Sequence, residues 1–379
     1  ALILGALVWW FSGDILRAIT ILIVFCPCVM VLATPTALVA SIGNAALRGS
    51  LVKKGATIEA MAKVNAVAFD KTGTLTFGQP KLTNIEPTGQ MTELKLLRLA
   101  AIAEKLSEHS LGRAVLQEAI AREVDVPDPE EFTTLPGLGI RACIQEGDVV
   151  IGRPRLLSEQ GITVGSDIAE RASNLAAVGR TVILVAYNRQ VEGLLVLEDT
   201  LRPEASSVIT KLKKLGIRTV LVTGDNTSTA ERIAGELGIS EVHAEVLPAQ
   251  KVEIVKQLQA QGWNVAFVGD GVNDGPALAI ANVGVAMGLG GTDVAIETAE
   301  IALLSDDLAR LPHLLNLSRQ AMRAIKQNLI FSLSVLAIAV GLAIPGILSP
   351  VTGALLHELS SIPVIANSAR LIGIRERVE

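Results

Sequence analysis

The sequence predicts a multidomain protein in which membrane α-helices flank an α/β domain that is itself split by an α+β insertion. Three observations predict it. Charge is segregated: half of the 379 residues are hydrophobic and mean hydropathy is +0.48, yet both ends are nearly charge-free while the middle has ordinary mixed charge. Apolar runs ending at Phe69, Val222 and Val268 each open into a polar turn carrying an aspartate, as buried parallel strands do at a ligand-binding edge. Between the first and second of these runs the pattern changes to amphipathic helices and short strands, as in an inserted domain.

Composition excludes some classes. A net charge of −5 argues against nucleic acid as a partner. Three cysteines give no disulfide framework, and two of them lie inside an apolar run. The chain opens on Ala1 in mid-apolar sequence without a charged leader, which reads as a piece of a longer protein rather than a signal peptide.

Residues 1–46 read as membrane helices. Residues 1–11 end one, with Trp9 and Trp10 as an interfacial belt, and Asp14 and Arg17 punctuate it. From Ala18 to Ile42 no residue is charged, a stretch long enough to cross a bilayer, for which about 20 residues suffice. Arg48, Lys53 and Lys54 then mark a cytoplasmic exit into a connector over 47–63. Within the span, Pro27 removes a backbone donor between Cys26 and Cys28, and Pro35 follows. A broken helix at membrane depth marks ion sites, and two thiols beside the break form a soft ligand pair. The alternative is that both cysteines are small core hydrophobes.

The run Ala66-Val67-Ala68-Phe69 drives into Asp70-Lys71-Thr72-Gly73-Thr74-Leu75-Thr76. A carboxylate fixed at a strand end beside a lysine and hydroxyls is placed to be a covalent nucleophile for a phosphoryl group. The D-K-T-G-T-L-T run resembles the phosphorylation signature of the P-type ATPases, and Cys-Pro-Cys resembles their heavy-metal branch. The later strand ends, Thr223-Gly224-Asp225 and Gly269-Asp270-Gly271-Val272-Asn273-Asp274, with Lys251 between them, resemble the haloacid dehalogenase-like phosphoryl-transfer site shared by that family. Any one aspartate could instead be a helix cap.

The resemblance implies an order of domains: phosphorylation domain over 64–78 and 196–312, a nucleotide-binding domain over 79–195, and a connector with two C-terminal membrane helices over 313–374. Asp70 becomes the acyl phosphate; Lys71, Thr223, Gly224, Asp225 and Lys251 position the transferring group. Asp70, the Thr72 carbonyl and Asp270 hold Mg²⁺, with Asn273 and Asp274 orienting its outer shell. Asp199-Thr200-Leu201-Arg202-Pro203 reads as the opening of a helix.

Residues 92–124 read as amphipathic helices, and 132–152 and 181–197 as strands with turns. Glu104 and Ser107-Glu108-His109-Ser110 resemble the S-E-H-P motif with which heavy-metal pumps hold adenine, with Ser110 in place of proline. Gly137, Gly139 and Gly152 match glycines of the same ATP pocket. No Walker-type loop is present.

After a basic helix with Arg319, Arg323 and Lys326, residues 329–348 and 351–374 read as two spans joined at Ser349-Pro350. The second carries His357-Glu358, and ionisable groups within a span point to function. Cys26, Cys28, His357 and Glu358 form an S₂NO set that suits zinc-class ions first, with copper(I) second and cobalt third. Subgroup motifs conflict: residues 329–336 lack both the Tyr-Asn pair of copper pumps and the lysine of zinc pumps.

The expected activity is ATP-driven export or import of a transition-metal cation through an aspartyl phosphate, in a bacterial or archaeal plasma membrane with the large soluble region cytoplasmic. The partners implied are ATP, Mg²⁺, the lipid bilayer and a chaperone or chelator that donates the metal. A membrane-anchored haloacid dehalogenase-like phosphatase is the alternative of another class; it would need neither Cys-Pro-Cys nor a nucleotide insertion.

Overall fold

The apolar N-terminal run folds as α1 (Leu2–Ser12), α2 (Ile15–Val24) and α3 (Cys28–Leu47) in a computed structural model. It describes residues 1–107, 109–135, 138–145, 147–270, 274–288, 297–304 and 307–375. The Asp14 carboxylate caps α2 by accepting from the Leu16 N–H at 2.9 Å. Helical structure breaks at Phe25–Pro27, as the proline requires, and α3 runs through Pro35.

The chain divides into two compact units. One comprises Ala1–Val67, Lys211–Arg218 and Val252–Glu379; the other comprises Ala68–Thr210 and Thr219–Lys251. In chain order the soluble elements begin with β1 (Ser50–Val52), α4 (Gly55–Lys63) and β2 (Ala66–Asp70). Next come β3 (Thr76–Pro87), α5 (Glu93–Glu104), α6 (Ser110–Ala121), β4 (Glu131–Leu135), β5 (Gly139–Ile144) and β6 (Gly147–Gly152). These lead to α7 (Pro154–Glu159), α8 (Ser166–Ala177), β7 (Thr181–Tyr187) and β8 (Gln190–Leu201). The chain then forms α9 (Ala205–Lys214), β9 (Arg218–Val222), α10 (Thr227–Leu237), β10 (Glu241–His243), α11 (Pro248–Ala260) and β11 (Val265–Gly269). It closes with α12 (Gly275–Ile280), β12 (Val283–Met287), β13 (Ile301–Leu303), α13 (Arg310–Ala343), α14 (Pro350–Leu359) and α15 (Ser361–Ala369).

A seven-stranded sheet has the order β1-β13-β12-β11-β2-β9-β10, so the three strands that end in aspartate turns are neighbours. β11 pairs in parallel with β12, β12 with β13 and β9 with β10, while β1 runs antiparallel at the edge. β2, β11 and β12 are buried at every position, which explains their unbroken apolar runs.

The second sheet is antiparallel, with the order β3-β8-β7-β6-β5-β4. Its strands alternate between two cores: Val149 and Ile151 pack with α5 and α6, Val150 with α7 and α8. β3 and β8 pair from Thr76↔Leu201 to Pro87↔Gly193, so both strands run through positions 79 and 195. Asp199–Leu201 thus end a strand, and the following helix starts only at Ala205. The expected helix opening at Asp199 is corrected: the apolar run of β8 and its pairing with β3 carry the chain to Leu201 before Pro203 can stop it.

Among the described residues two helical runs are long and apolar enough to cross a membrane, Ile15–Leu47 and Arg310–Ala343. The expected basic helix and first C-terminal span are one continuous 34-residue helix, α13. The expected second span is broken instead: α14 and α15 meet at Ser360, whose hydroxyl turns back to the His357 carbonyl at 2.6 Å. α3 packs against α13 and α15 around Val29, Ala33, Leu329 and Val364. Buried Asn328 donates to the Ser368 hydroxyl at 3.0 Å, and Thr36 donates to that same hydroxyl at 3.0 Å, so polar groups fix this packing.

Candidate active site and metal centre

Asp70 is the last residue of β2 and is only 6% exposed. The chain turns at once over Lys71–Leu75, and Gly73 takes φ 71°, a left-handed conformation that costs glycine least. Gly78, also left-handed, lies against the Gly73 backbone, where an added Cβ would approach Cα at 3.1 Å.

Lys251 enters from the first turn of α11, and its Nζ donates to Asp70 Oδ1 at 2.6 Å. Both side chains are almost fully enclosed, with 7% and 9% exposure. Lys71 points to a second carboxylate, Asp225, at 2.6 Å. Asp225 follows β9 in the turn whose Thr223 is 2% exposed, and the Asp225 N–H donates to the Thr223 hydroxyl at 3.2 Å. Asp70, Lys71, Asp225 and Lys251 are thus joined by two short ion pairs, with Thr223 and Gly224 in the same turn. A buried anion paired with an ammonium at a strand end can take a phosphoryl group while the cation neutralises the charge that arrives. Thr72 is exposed.

Asp270 and Asp274 follow β11 and belong to the other unit. Asp274 is 1% exposed, and its carboxylate lies against Gly269, where no Cβ would fit. Asn273 lies outside the described residues.

Within the inserted domain a cavity of about 710 Å³ is lined by Glu104, His109, Gly139 and Gly152. Phe132 and Arg153, which sequence reasoning did not single out, line it too. Gly137 and Glu108 lie outside the described residues. At Gly139 and Gly152 an added Cβ would run into the Ile151 and Leu138 carbonyls, so close pairing of β5 and β6 requires glycine at both. Glu104 ends α5, and burial holds its carboxyl above the usual range, opposed by a hydrogen bond from Ser107. His109 caps α6, its Nδ1 accepting from the Leu111 N–H at 3.3 Å, and borders the cavity as well.

In the helical region Cys26, Cys28 and His357 bring their ligand atoms within 4.8 Å of one another. Cys26 and His357 border a cavity of about 270 Å³ that Met30, Ser332 and Ser360 also line. Two features of this group were not expected from the sequence. Cys26 and Cys28 are joined as a disulfide, because the break at Pro27 turns both sulfurs to the same side with Cα atoms 5.5 Å apart. Cation binding needs thiolates and so belongs to the reduced pair. Glu358 does not join the group and is exposed, since consecutive helical residues point about 100° apart and His357 takes the inward position.

The sheet and the Asp70 turn define the class. The haloacid dehalogenase-like hydrolase family matches residues 64–282, more than half of the chain, and the chain belongs to it. The chain is 44% identical over 375 residues to a zinc-exporting P-type ATPase of Mycobacterium marinum, covering 98% of this chain and 51% of that protein. It is also 44% identical over 375 residues to a manganese-exporting P-type ATPase of Mycobacterium tuberculosis, covering 98% and 52%. A crystal structure of a zinc-transporting PIB-type ATPase in its E2.Pi state aligns with a TM-score of 0.84 and 39% identity, over 94% of this chain and 57% of that one. Within the hydrolase class the chain is a member of the heavy-metal P-type ATPases, and it spans about half the length of the curated relatives it matches.

Proposed function

We propose that the chain carries the phosphorylation, nucleotide and ion-binding parts of an ATP-driven transition-metal pump. Residues 64–78 and 196–312 form the phosphorylation domain, 79–195 the nucleotide domain, and 1–46 and 313–374 the membrane region, with the soluble part cytoplasmic. Asp70 attacks the γ-phosphorus of ATP; the bond from that phosphorus to the β–γ bridging oxygen breaks, and ADP leaves. Lys251 and Lys71 supply positive charge beside the transferred group, and Thr223 offers a hydroxyl. The carboxylates suit Mg²⁺, for which Asp70, the Thr72 carbonyl and Asp270 are the assigned ligands and Asn273 and Asp274 their support. That ion would neutralise charge on the γ-phosphoryl oxygens. Glu104, His109, Gly137, Gly139 and Gly152 form the adenine pocket.

One observation favours a pump over a membrane-anchored phosphatase: Cys26, Cys28 and His357 meet beside a helix break. Relatives named for zinc and for manganese are equally similar, so identity does not choose the ion. Donor chemistry supports a zinc-class ion, because two thiolates and an imidazole suit tetrahedral Zn²⁺, whereas Mn²⁺ prefers oxygen. Glu358 supplies a fourth donor only through a rotation of α14.

The test uses the full-length protein with labelled ATP and Mg²⁺, across Zn²⁺, Mn²⁺, Cd²⁺, Co²⁺ and Cu⁺ with a thiol present. An acid-stable, hydroxylamine-labile phosphoenzyme should form and vanish in Asp70→Asn, with Zn²⁺ or Cd²⁺ stimulating turnover. His357→Ala should remove that stimulation. Turnover unaffected by every metal would favour the phosphatase.

A further inference from the structure

The Asp70 turn is braced from below by residues that touch no reacting atom. β8 pairs with β3 up to Leu201↔Thr76, so Arg202 leaves the sheet directly beside the turn. Its guanidinium is 6% exposed for the residue as a whole and forks between two carbonyls: Nη2 donates to Gly73 O at 3.2 Å and Nε to Thr76 O at 3.2 Å. The Arg202 backbone N–H donates to Leu75 O at 2.9 Å. The guanidinium carbon lies 5.0 Å from the Phe77 ring centroid, a cation–π contact.

Three residues earlier on β8, Asp199 Oδ2 is 2.5 Å from the Thr76 hydroxyl, which is itself 3.0 Å from the Lys71 carbonyl. A hydroxyl has one proton and the Lys71 carbonyl can only accept. Both contacts are satisfied together when Asp199 is a neutral acid that donates to Thr76 while Thr76 donates to Lys71. Burial raises the Asp199 carboxyl above its ordinary range, against the opposing pull of Thr76, Lys71 and the Gly78 N–H.

Three carbonyls of the turn, at Gly73, Leu75 and Thr76, are therefore engaged by Arg202, and a fourth, at Lys71, by the Thr76 hydroxyl that Asp199 contacts. We propose that Arg202 and Asp199 are positioning residues for phosphoryl transfer, holding the Asp70–Thr76 turn in the one shape that aims the Asp70 carboxylate and the Lys71 ammonium. This rests on the aspartyl-phosphate reading of Asp70. Lysine cannot replace the fork, because a single ammonium does not span two fixed carbonyls as a planar guanidinium does. Asparagine can replace a protonated Asp199, because its amide also donates to Thr76.

The experiment measures three quantities on the full-length protein: the rate of phosphoenzyme formation at saturating ATP, the KM for ATP, and the melting temperature. Arg202→Lys should slow phosphoenzyme formation by about tenfold to a hundredfold, the range expected for a misplaced reacting group, with KM nearly unchanged. Asp199→Asn should keep the rate and Asp199→Ala should lose it to a similar degree. A purely structural role would lower the melting temperature of these variants and leave the rate per folded molecule intact, which would overturn the proposal. If the Arg202 variants do not fold, the Asp199 pair decides: equal rates for Asn and Ala overturn it. Asp70→Asn runs alongside; if it still forms the labile phosphoenzyme, the underlying reading falls and the brace falls with it.

Discussion

Replacing Lys251 by methionine should destabilise the catalytic unit more than any ordinary surface change, and the size follows from the Asp70 pair. The ammonium and carboxylate lie 2.6 Å apart with 7% and 9% of their side chains exposed. At an effective dielectric of about 20 their gross attraction is about 6 kcal/mol. Desolvation of both ions consumes much of that, so the pair adds little net stability while intact. Removing one partner of a buried ion pair costs about 3–5 kcal/mol. For a cooperative unit of 150–250 residues each kcal/mol moves the midpoint by about 2–4 °C, so Lys251→Met should lower the melting temperature by about 6–20 °C. Asp70→Asn/Lys251→Met should recover most of the loss, because a neutral amide at position 70 does not need the ammonium. Calorimetry of the purified chain in detergent at pH 7 measures both. A shift below about 2 °C for Lys251→Met, or a double variant no better than the single one, would refute the reasoning.

Two further outcomes are expected. Gly179→Ala should be strongly destabilising, by a few kcal/mol on the scale of about 1–3 for backbone strain plus a clash, because Gly179 has φ +83° and its Cβ would collide with Thr229. Thermal melting checks it: Thr229→Ala should rescue the variant only in part, since the backbone strain remains. Glu104→Gln should stabilise the protein near neutral pH and not at pH 4. Burial raises the folded carboxyl above its ordinary 4.5, so the unfolded chain ionises first and stability falls as pH climbs through that window. Melting curves from pH 4 to 8 that run parallel for wild type and variant would contradict this.

The parts of the fold visible in the sequence were those encoded locally. Fully buried strands read as apolar runs, and an aspartate at the end of β2 or just after β11 marks where such a run meets the turn. Pro27 foretold the break between α2 and α3 because its ring forbids the missing hydrogen bond. What stayed hidden depends on orientation or on distance along the chain. His357 and Glu358 are equivalent as letters, and only the facing of α14 separates the inward imidazole from the exposed carboxylate. Arg202 reaches carbonyls 126 and 129 positions away, a relation carried by the pairing of β3 with β8. A visible signal existed there: two opposite charges three residues apart at the end of an apolar strand. The pairing of Cys26 with Cys28 was hidden for another reason, since spacing alone cannot tell a ligand pair from a bonded one.

The uninterrupted length of α13 sets a mechanical condition. Its 34 residues make a strut of about 50 Å. Ser332 and Ala339, on the wall of the cavity shared with Cys26 and His357, stand on the same rod as Arg310 at its far end. A continuous helix does not telescope, so a stroke applied at Arg310 reaches Ser332, about 33 Å away, as slide or tilt. The cavity wall and Arg310 are therefore linked: whatever fixes the one also fixes the travel of the strut.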